Sequence, residues 1–322
     1  MKIALVTPAG TRSRTGNRHT AARWAAFLRA LGHKVEVETR WSGRPADLLI
    51  ALHARRSHDS AARFRAAHPA RPLVVVLTGT DLYRDIRSDA DASHSLAIAD
   101  RLVVLQDMGA RELAPDLRSK TRIIYQSARV GLPFSPPRAL FRAAVIGHLR
   151  AEKDPFRAAL ALKYLADLPR IEVVQIGEAL APEMRAEARR LMLEEPRYRW
   201  LGGVPHWQAL RWLSRSHLLV LSSRMEGGAN VIAEAACAGV PVIASRVSGN
   251  VGMLGRDYCG YFALEDERAL AERLRRAATD PRYYERLRSS VAARRHLFRP
   301  KSERDGLARL IAELARAGPG DR

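Results

Sequence analysis

The stretch Leu218-Leu219-Val220-Leu221-Ser222-Ser223-Arg224-Met225-Glu226-Gly227-Gly228-Ala229-Asn230-Val231-Ile232-Ala233-Glu234 runs from four apolar residues through a glycine pair into a segment of helical spacing. Strand, loop and helix follow in that order. The helix is expected to run to about Ala238, and Gly239-Val240-Pro241-Val242-Ile243 then starts the next strand. Small residues let a ligand approach the main chain, and amides from Gly228 to Val231 at a helix start lack intrahelical partners. Those amides and the helix dipole suit an anion. Glu226 stands at the mouth of that site. Glu234 is expected about two turns further along the same face, where a carboxylate can accept two hydrogen bonds from a diol such as a ribose. Two glutamates eight apart can simply decorate a solvated helix. The glycine pair and the following Ala238-Gly239-Val240-Pro241-Val242-Ile243 favour a binding site.

The same pattern repeats outward from this segment. Strands are expected at Lys2–Thr7, Lys34–Glu38, Asp47–His53, Leu73–Thr78, Arg101–Gln106 and Thr121–Gln126, with amphipathic segments such as Ala21–Leu31 between them. Ser127–Ala139, with Gly131, Pro133, Pro136 and Pro137, reads as a linker. A second series follows at Arg142–Ile146, Ile171–Ile176, Tyr198–Leu201, Leu218–Leu221 and Pro241–Ala244. Alternating strands and helices give parallel sheets covered on both faces. The fold class expected is α/β, as two Rossmann-like domains with a cleft between them. The expected divisions are residues 1–132, residues 133–300, and a final helix over 301–322 that crosses back to the first domain.

The chain has 322 residues, 47% hydrophobic and 27% charged, which argues for folded domains rather than disorder. Its apolar runs are far short of the ~20 residues that span a bilayer, and its start reads as a strand rather than a signal peptide. Cys237 and Cys259 make neither a disulfide framework nor a four-ligand zinc site, so a cytoplasmic protein is expected. The net charge of +20 suggests polyanionic partners. Only six of its 54 cations are lysines, and the arginines are dispersed rather than concentrated on one segment. That dispersal argues against a nucleic-acid footprint. The basic segment Ala54–Arg71 offers an apolar face of alanines and one Phe64, too small for stable membrane association.

A second motif, Gly147-His148-Leu149-Arg150-Ala151-Glu152-Lys153-Asp154-Pro155, also stands where a strand ends. Asp154 reads as an N-cap and Pro155 as the first helical position. Arg150 and Lys153 then project from the loop, a pair suited to a diphosphate. Lys153 weighs more because lysine is scarce here.

Arg150 and Lys153 followed by the two-glutamate motif resemble the nucleotide-sugar glycosyltransferases of the GT-B type, specifically the retaining family 4. The likeness covers essentially the whole chain and is most specific in its second half. It implies catalytic roles for Arg150, Lys153 and Glu226 around a departing nucleoside diphosphate. It implies donor contacts from Gly227, Gly228, Ala229, Asn230 and Val231, ribose binding by Glu234, and a base bordered by Leu201 and Val204. In the first domain the loop Gly10–Thr20 departs from the family's glycine pair. Gly16-Asn17 is the nearest match and would also touch the donor. The loop sequences Thr78–Arg84 and Ile124–Ala128 resemble the selenosugar synthases of selenoneine biosynthesis. That likeness implies a UDP-sugar donor (UDP-glucose or UDP-N-acetylglucosamine), selenophosphate as acceptor, and no separate cofactor or metal. Arg12, Arg14, Arg18, His19, Thr80 and Gln126 would line the acceptor side. The arginines of that loop can equally be solvated surface.

Other features read as structural. Asp89-Ala90-Asp91 complements a helix start rather than binding metal, and Cys237 is a small core residue. His53 and His148, at strand ends, are either site residues or partly buried polar groups. Three rival functions share the pattern. They are a hexosyltransferase acting on a glycan or lipid, a sugar-nucleotide epimerase needing acid/base groups around the ring, and a non-catalytic polyanion binder with steep salt dependence.

Overall fold

A computed structural model describes residues 1–8, 10 and 16–316. The chain divides into two units, residues 1–126 with 300–322, and residues 127–299. The division falls before residue 132 because the Ala128 amide donates to the Phe298 carbonyl (3.1 Å) and the Ser135 amide to that of Ser214 (2.8 Å). The proline-containing segment is thus held by the second unit.

The first unit is built on β1 (Lys2–Val6), β2 (Lys34–Glu38), β3 (Leu48–Leu52), β4 (Leu73–Leu77), β5 (Arg101–Val104) and β6 (Thr121–Ile123), in the order β2-β1-β3-β4-β5-β6. Every pairing is parallel, with Ile3 opposite both Val35 and Leu48. β3 and β4 are buried at every position, the continuous apolar reading of a doubly covered sheet. One face packs under the helices Gly16–Ala30 and Pro300–Arg316 through Trp24, Leu28, Leu307, Leu310 and Leu314. The other face packs under the helices His58–Ala67 and Ala90–Ile98 through Phe64 and Leu96. Phe64 is core, so the segment 54–71 offers no aromatic anchor to a membrane.

The second unit holds β7 (Phe141–Ile146), β8 (Ile171–Ile176), β9 (Tyr198–Trp200), β10 (Leu218–Leu221), β11 (Val242–Ser245) and β12 (Tyr261–Phe262), ordered β12-β11-β10-β7-β8-β9 and again all parallel. The two-residue β12 escapes sequence reading because it is too short to show a period. The order reverses between β7 and β10. In open α/β sheets ligands bind outside the carboxyl ends of the strands at such a switch point. In the first unit the corresponding reversal lies between β1 and β3. No helix among the described residues is long and apolar enough to cross a membrane.

Candidate active site

Both chemistry-bearing loops of the second unit leave the sheet at its switch point. After β7 the chain passes the buried Leu149 and makes one 3-10 turn, Ala151–Lys153. After β10 it runs through Ser222–Ala229 before the helix Asn230–Ala238. Several contacts join the two loops. Lys153 Nζ meets Glu226 Oε1 at 2.5 Å, and from within the second loop Ser223 Oγ donates to the same oxygen at 2.6 Å. Ser222 Oγ donates to the Asp154 carbonyl at 2.7 Å, and the Arg224 amide to that of Glu152 at 2.9 Å. The Glu226 side chain is 7% exposed and that of Lys153 22%. A carboxylate so enclosed needs both partners to offset its desolvation.

A third segment fixes the Glu226 backbone. A Cβ at Gly249 would lie 1.7 Å from the Glu226 carbonyl oxygen, so only glycine lets the short helix Ser248–Leu254 come this close. Asn250, fully buried, donates to both Ser245 O and Ser245 Oγ, and Ser245 Oγ donates to Ser223 O at 2.6 Å. The loop bearing Glu226 is therefore tied down on two sides.

Asn230 and Val231 begin the helix that follows, and their amides have no carbonyl a turn earlier within it. The buried Oδ1 of Asn230 lacks a hydrogen-bond partner. One turn on, Glu234 Oε1 meets His206 Nε2 at 2.8 Å. His206 opens the helix His206–Ser214, just past the turn that carries Leu201 and Val204. The hydrogen bond to Glu234 raises the His206 pKa above its ordinary value, against the pull of burial. Leu201 and Val204 are half-buried against Val174, Ile176 and Ala209. Arg150 is exposed, with no carboxylate partner among the described residues.

In the first unit Gln126 is buried at the carboxyl end of β6, where its Nε2 donates to Thr20 Oγ1 and its Oε1 has no partner. Thr80, half-buried after β4, lies 3.2 Å from His53 Nε2. Gly16 and Asn17 are the first helical turn, Arg18 is half-buried, and His19 is exposed. Arg12 and Arg14 lie outside the described residues.

Residues 139–294 match the family of glycosyl transferases group 1. The chain carries a group 1 glycosyltransferase domain. It is also 27% identical to glycosyltransferase 1 domain-containing protein 1 of Xenopus tropicalis, across 98% of both chains. A shorter likeness, 30% identity over 46% of this chain and 34% of the other, is to the putative teichuronic acid biosynthesis glycosyltransferase TuaC of Bacillus subtilis. Among solved structures, sucrose-phosphate synthase from Thermosynechococcus elongatus superposes with a TM-score of 0.80 at 18% identity, covering 99% of this chain and 100% of that one. HepE of Anabaena in complex with UDP-glucose gives 0.76 at 16% identity, covering 97% and 100%. The fold is thus the GT-B type, built from two Rossmann-like units.

Two sequence expectations for this glycosyltransferase need correction. Asp154 is not an N-cap, nor is Pro155 the first helical residue. Asp154 ends the 3-10 turn with φ +43° and turns its carboxylate onto Arg157 (2.8 Å), and the helix starts only at Arg157. Arg157 also reaches Glu267 at 2.6 Å, and that pairing outbids a local cap. Glu226 and Glu234 do not share a helix face, because Glu226 precedes the helix, in the loop. Asp89 does cap its helix, accepting from the Ala92 amide at 2.9 Å. Among the described residues no group of three or more His, Cys, Asp or Glu has metal-binding geometry. Sequence reading passed over Ser223 and His206, whose only signal is their place just after a strand and just before a helix.

Proposed function

We propose that this glycosyltransferase, of the retaining family 4 type, moves a hexose or N-acetylhexosamine from UDP-glucose or UDP-N-acetylglucosamine to selenophosphate. The observation that carries the donor half is the Lys153–Glu226 pair beside the open amides of Asn230 and Val231, at the carboxyl edge between β7 and β10. There Arg150, Lys153 and the amides from Gly227 to Val231 take the diphosphate, Glu226 faces the sugar, and Glu234 takes the ribose. Leu201 and Val204 border the base, and Gly16 and Asn17 are assigned to the donor as well. The complex of HepE with UDP-glucose supports a UDP-sugar donor.

The acceptor half rests on the likeness of Thr78–Arg84 and Ile124–Ala128 to selenosugar synthases, with Arg12, Arg14, Arg18, His19, Thr80 and Gln126 on that side. The bond from the anomeric carbon to the diphosphate breaks, and its electron pair leaves with UDP. Selenium of the ionised acceptor forms the new bond to that carbon. Water then splits the selenium–phosphorus bond, giving the selenosugar and phosphate. An acceptor that arrives ionised needs no general base. Charge stabilisation of the leaving diphosphate by fixed cations supplies much of the rate. We place the reaction in the cytoplasm, in keeping with the unpaired Cys237 and Cys259.

Mass spectrometry of the purified enzyme with either UDP-sugar and fresh selenophosphate tests this. A selenium-containing sugar and stoichiometric UDP are expected. Elongation of a glycan or lipid with no selenium product would leave a glycosyltransferase of different acceptor.

A further inference from the structure

The exit loops of β3 and β4 carry a cluster that the donor chemistry leaves unused. His53 follows β3 directly with φ +75°, a left-handed conformation costly for a non-glycine residue, and is 3% exposed. Its Nδ1 accepts from the Arg56 amide at 3.3 Å. Burial lowers its pKa, against the nearby carboxylates of Asp81 and Asp85 and with the help of Arg56 and Arg55. In the neutral ring Nε2 then bears the proton and donates to Thr80 Oγ1 at 3.2 Å. The Thr80 hydroxyl proton is left with no acceptor among the described residues.

Asp81, fully buried, bridges the two loops by accepting from the Gly79 amide (2.7 Å) and the Ala54 amide (3.0 Å). Beside it Asp85, 5% exposed, accepts from Nε of Arg55 at 3.0 Å and from Nε of Arg84 at 3.2 Å. Burial pushes the Asp85 carboxyl up, but the hydrogen bonds from Arg84 and Arg55 outweigh it and hold the pKa below its ordinary value. One enclosed carboxylate thus orients two guanidinium groups whose side chains are 40% and 53% exposed. Both are held through Nε, which leaves their Nη groups to bind outward. Arg56, exposed, adds a third cation. A structural ion pair on Asp85 needs one arginine; with Arg56 the three arginines exceed the two carboxylates Asp81 and Asp85 by one charge, which leaves the cluster cationic. It sits at the carboxyl edge beside the reversal between β1 and β3, where ligands of such sheets bind. Oriented guanidinium forks match a tetrahedral oxyanion.

We propose that Arg55, Arg84 and the Thr80 hydroxyl form a binding site for a phosphate-type oxyanion, with Asp85 and His53 as positioning residues. That the anion is the acceptor's phosphate group rests on the function proposed above; the site itself does not.

Calorimetric titration of inorganic phosphate into the full-length protein saturated with UDP tests the site, because UDP then occupies the donor loops. Saturable binding is expected. Arg55→Ala and Arg84→Ala should each weaken it about tenfold or more, the scale of a charged hydrogen bond, with UDP affinity unchanged. Asp85→Asn should weaken phosphate binding and Asp85→Glu restore it in part, a split that mere loss of folding would not produce. Phosphate binding that is absent, or unaltered in both arginine variants, overturns the site. If the arginine variants lose phosphate and the wild-type enzyme forms no selenosugar, the site stands and the acceptor assignment falls. If Arg84→Ala loses phosphate binding yet forms selenosugar at the wild-type acceptor KM, the site and the proposed function both stand, and the anion held here is not the acceptor's phosphate.

Discussion

Lys153 is held at 2.5 Å by Glu226, so in the function proposed above its charge is oriented before the diphosphate arrives. A cation prepaid in this way costs no reorganisation as charge grows on the leaving group. Lys153→Ala should therefore lower kcat by about 10²–10³ while changing KM far less; steady-state kinetics with the UDP-sugar check it. Glu234→Ala should weaken UDP binding by about 1.5–3 kcal/mol, read by calorimetry. His206 adds a pH signature. Because Glu234 raises its pKa, the pair's stabilisation is complete below the unfolded value near ~6.5 and is lost as pH rises through the raised value. The His206 side chain is 56% exposed, so the effect stays under about 1 kcal/mol. Thermal melts of wild type and His206→Gln should differ most at low pH and converge at high pH. Lys153 stands out in the sequence because lysine is scarce beside so much arginine, and the structure pairs it with Glu226. The His206–Glu234 pair was not, since its members stand 28 positions apart and only the return of the helix after β9 brings them together.

At the scale of elements, alternation of buried strands and helices revealed both sheets, and the close approach of turns remained hidden. Gly249 shows why: nothing in Val247-Ser248-Gly249-Asn250 announces that Glu226 O sits where a Cβ would go. Gly249→Ala should push its helix off the Glu226 loop, costing about 1–3 kcal/mol as overpacking does and reducing UDP-sugar turnover with it. Denaturant titration and kinetics on the same preparation check both effects. The Asp154-Pro155 misreading has the same origin, because the partner that captured Asp154 is Arg157, itself anchored by a distant helix. The strand ends carry one further device. His217, just before β10, stacks on Phe141 with ring centroids 4.6 Å apart, and its Nδ1 accepts from the Arg142 amide at 3.0 Å. Burial, aided by the Arg142 charge, pulls its pKa down to about 4. Its neutral form is therefore worth stability above the unfolded value near ~6.5, and that stability is lost as pH falls toward the folded value. Between pH ~7 and ~4 the second unit should lose about 1–2 kcal/mol more in wild type than in His217→Gln, after discount for the half-exposed ring.

Across the whole molecule, the charge of +20 proves less informative than the use made of the arginines. Many serve as donors to carbonyls at the ends of elements. Arg65 reaches Ile98 O and Asp100, Arg197 reaches Leu162 O and Leu165 O, and Arg294 reaches Met253 O. These caps satisfy chain ends that would otherwise be orphaned, which explains arginine spread along the sequence rather than gathered in one stripe. The same chemistry secures the last helix. Pro300–Arg316 joins the first unit through Glu303, 1% exposed, which accepts from Trp24 Nε1 and Arg23 Nε, both at 2.7 Å. The proline after Phe298-Arg299 marks where this helix starts, but the sequence does not say that its glutamate is buried. Glu303→Ala would leave the Trp24 N–H and the Arg23 guanidinium unpaired in a closed site, a loss of about 3–5 kcal/mol by comparison with other broken buried pairs. The damage should be local to the unit that owns those groups. Hydrogen exchange should therefore quicken in residues 16–30 and 300–316 and in β1, with protection in residues 139–294 unchanged. Uniform loss of protection in both units would mean instead that the helix secures the folding of the chain as a whole.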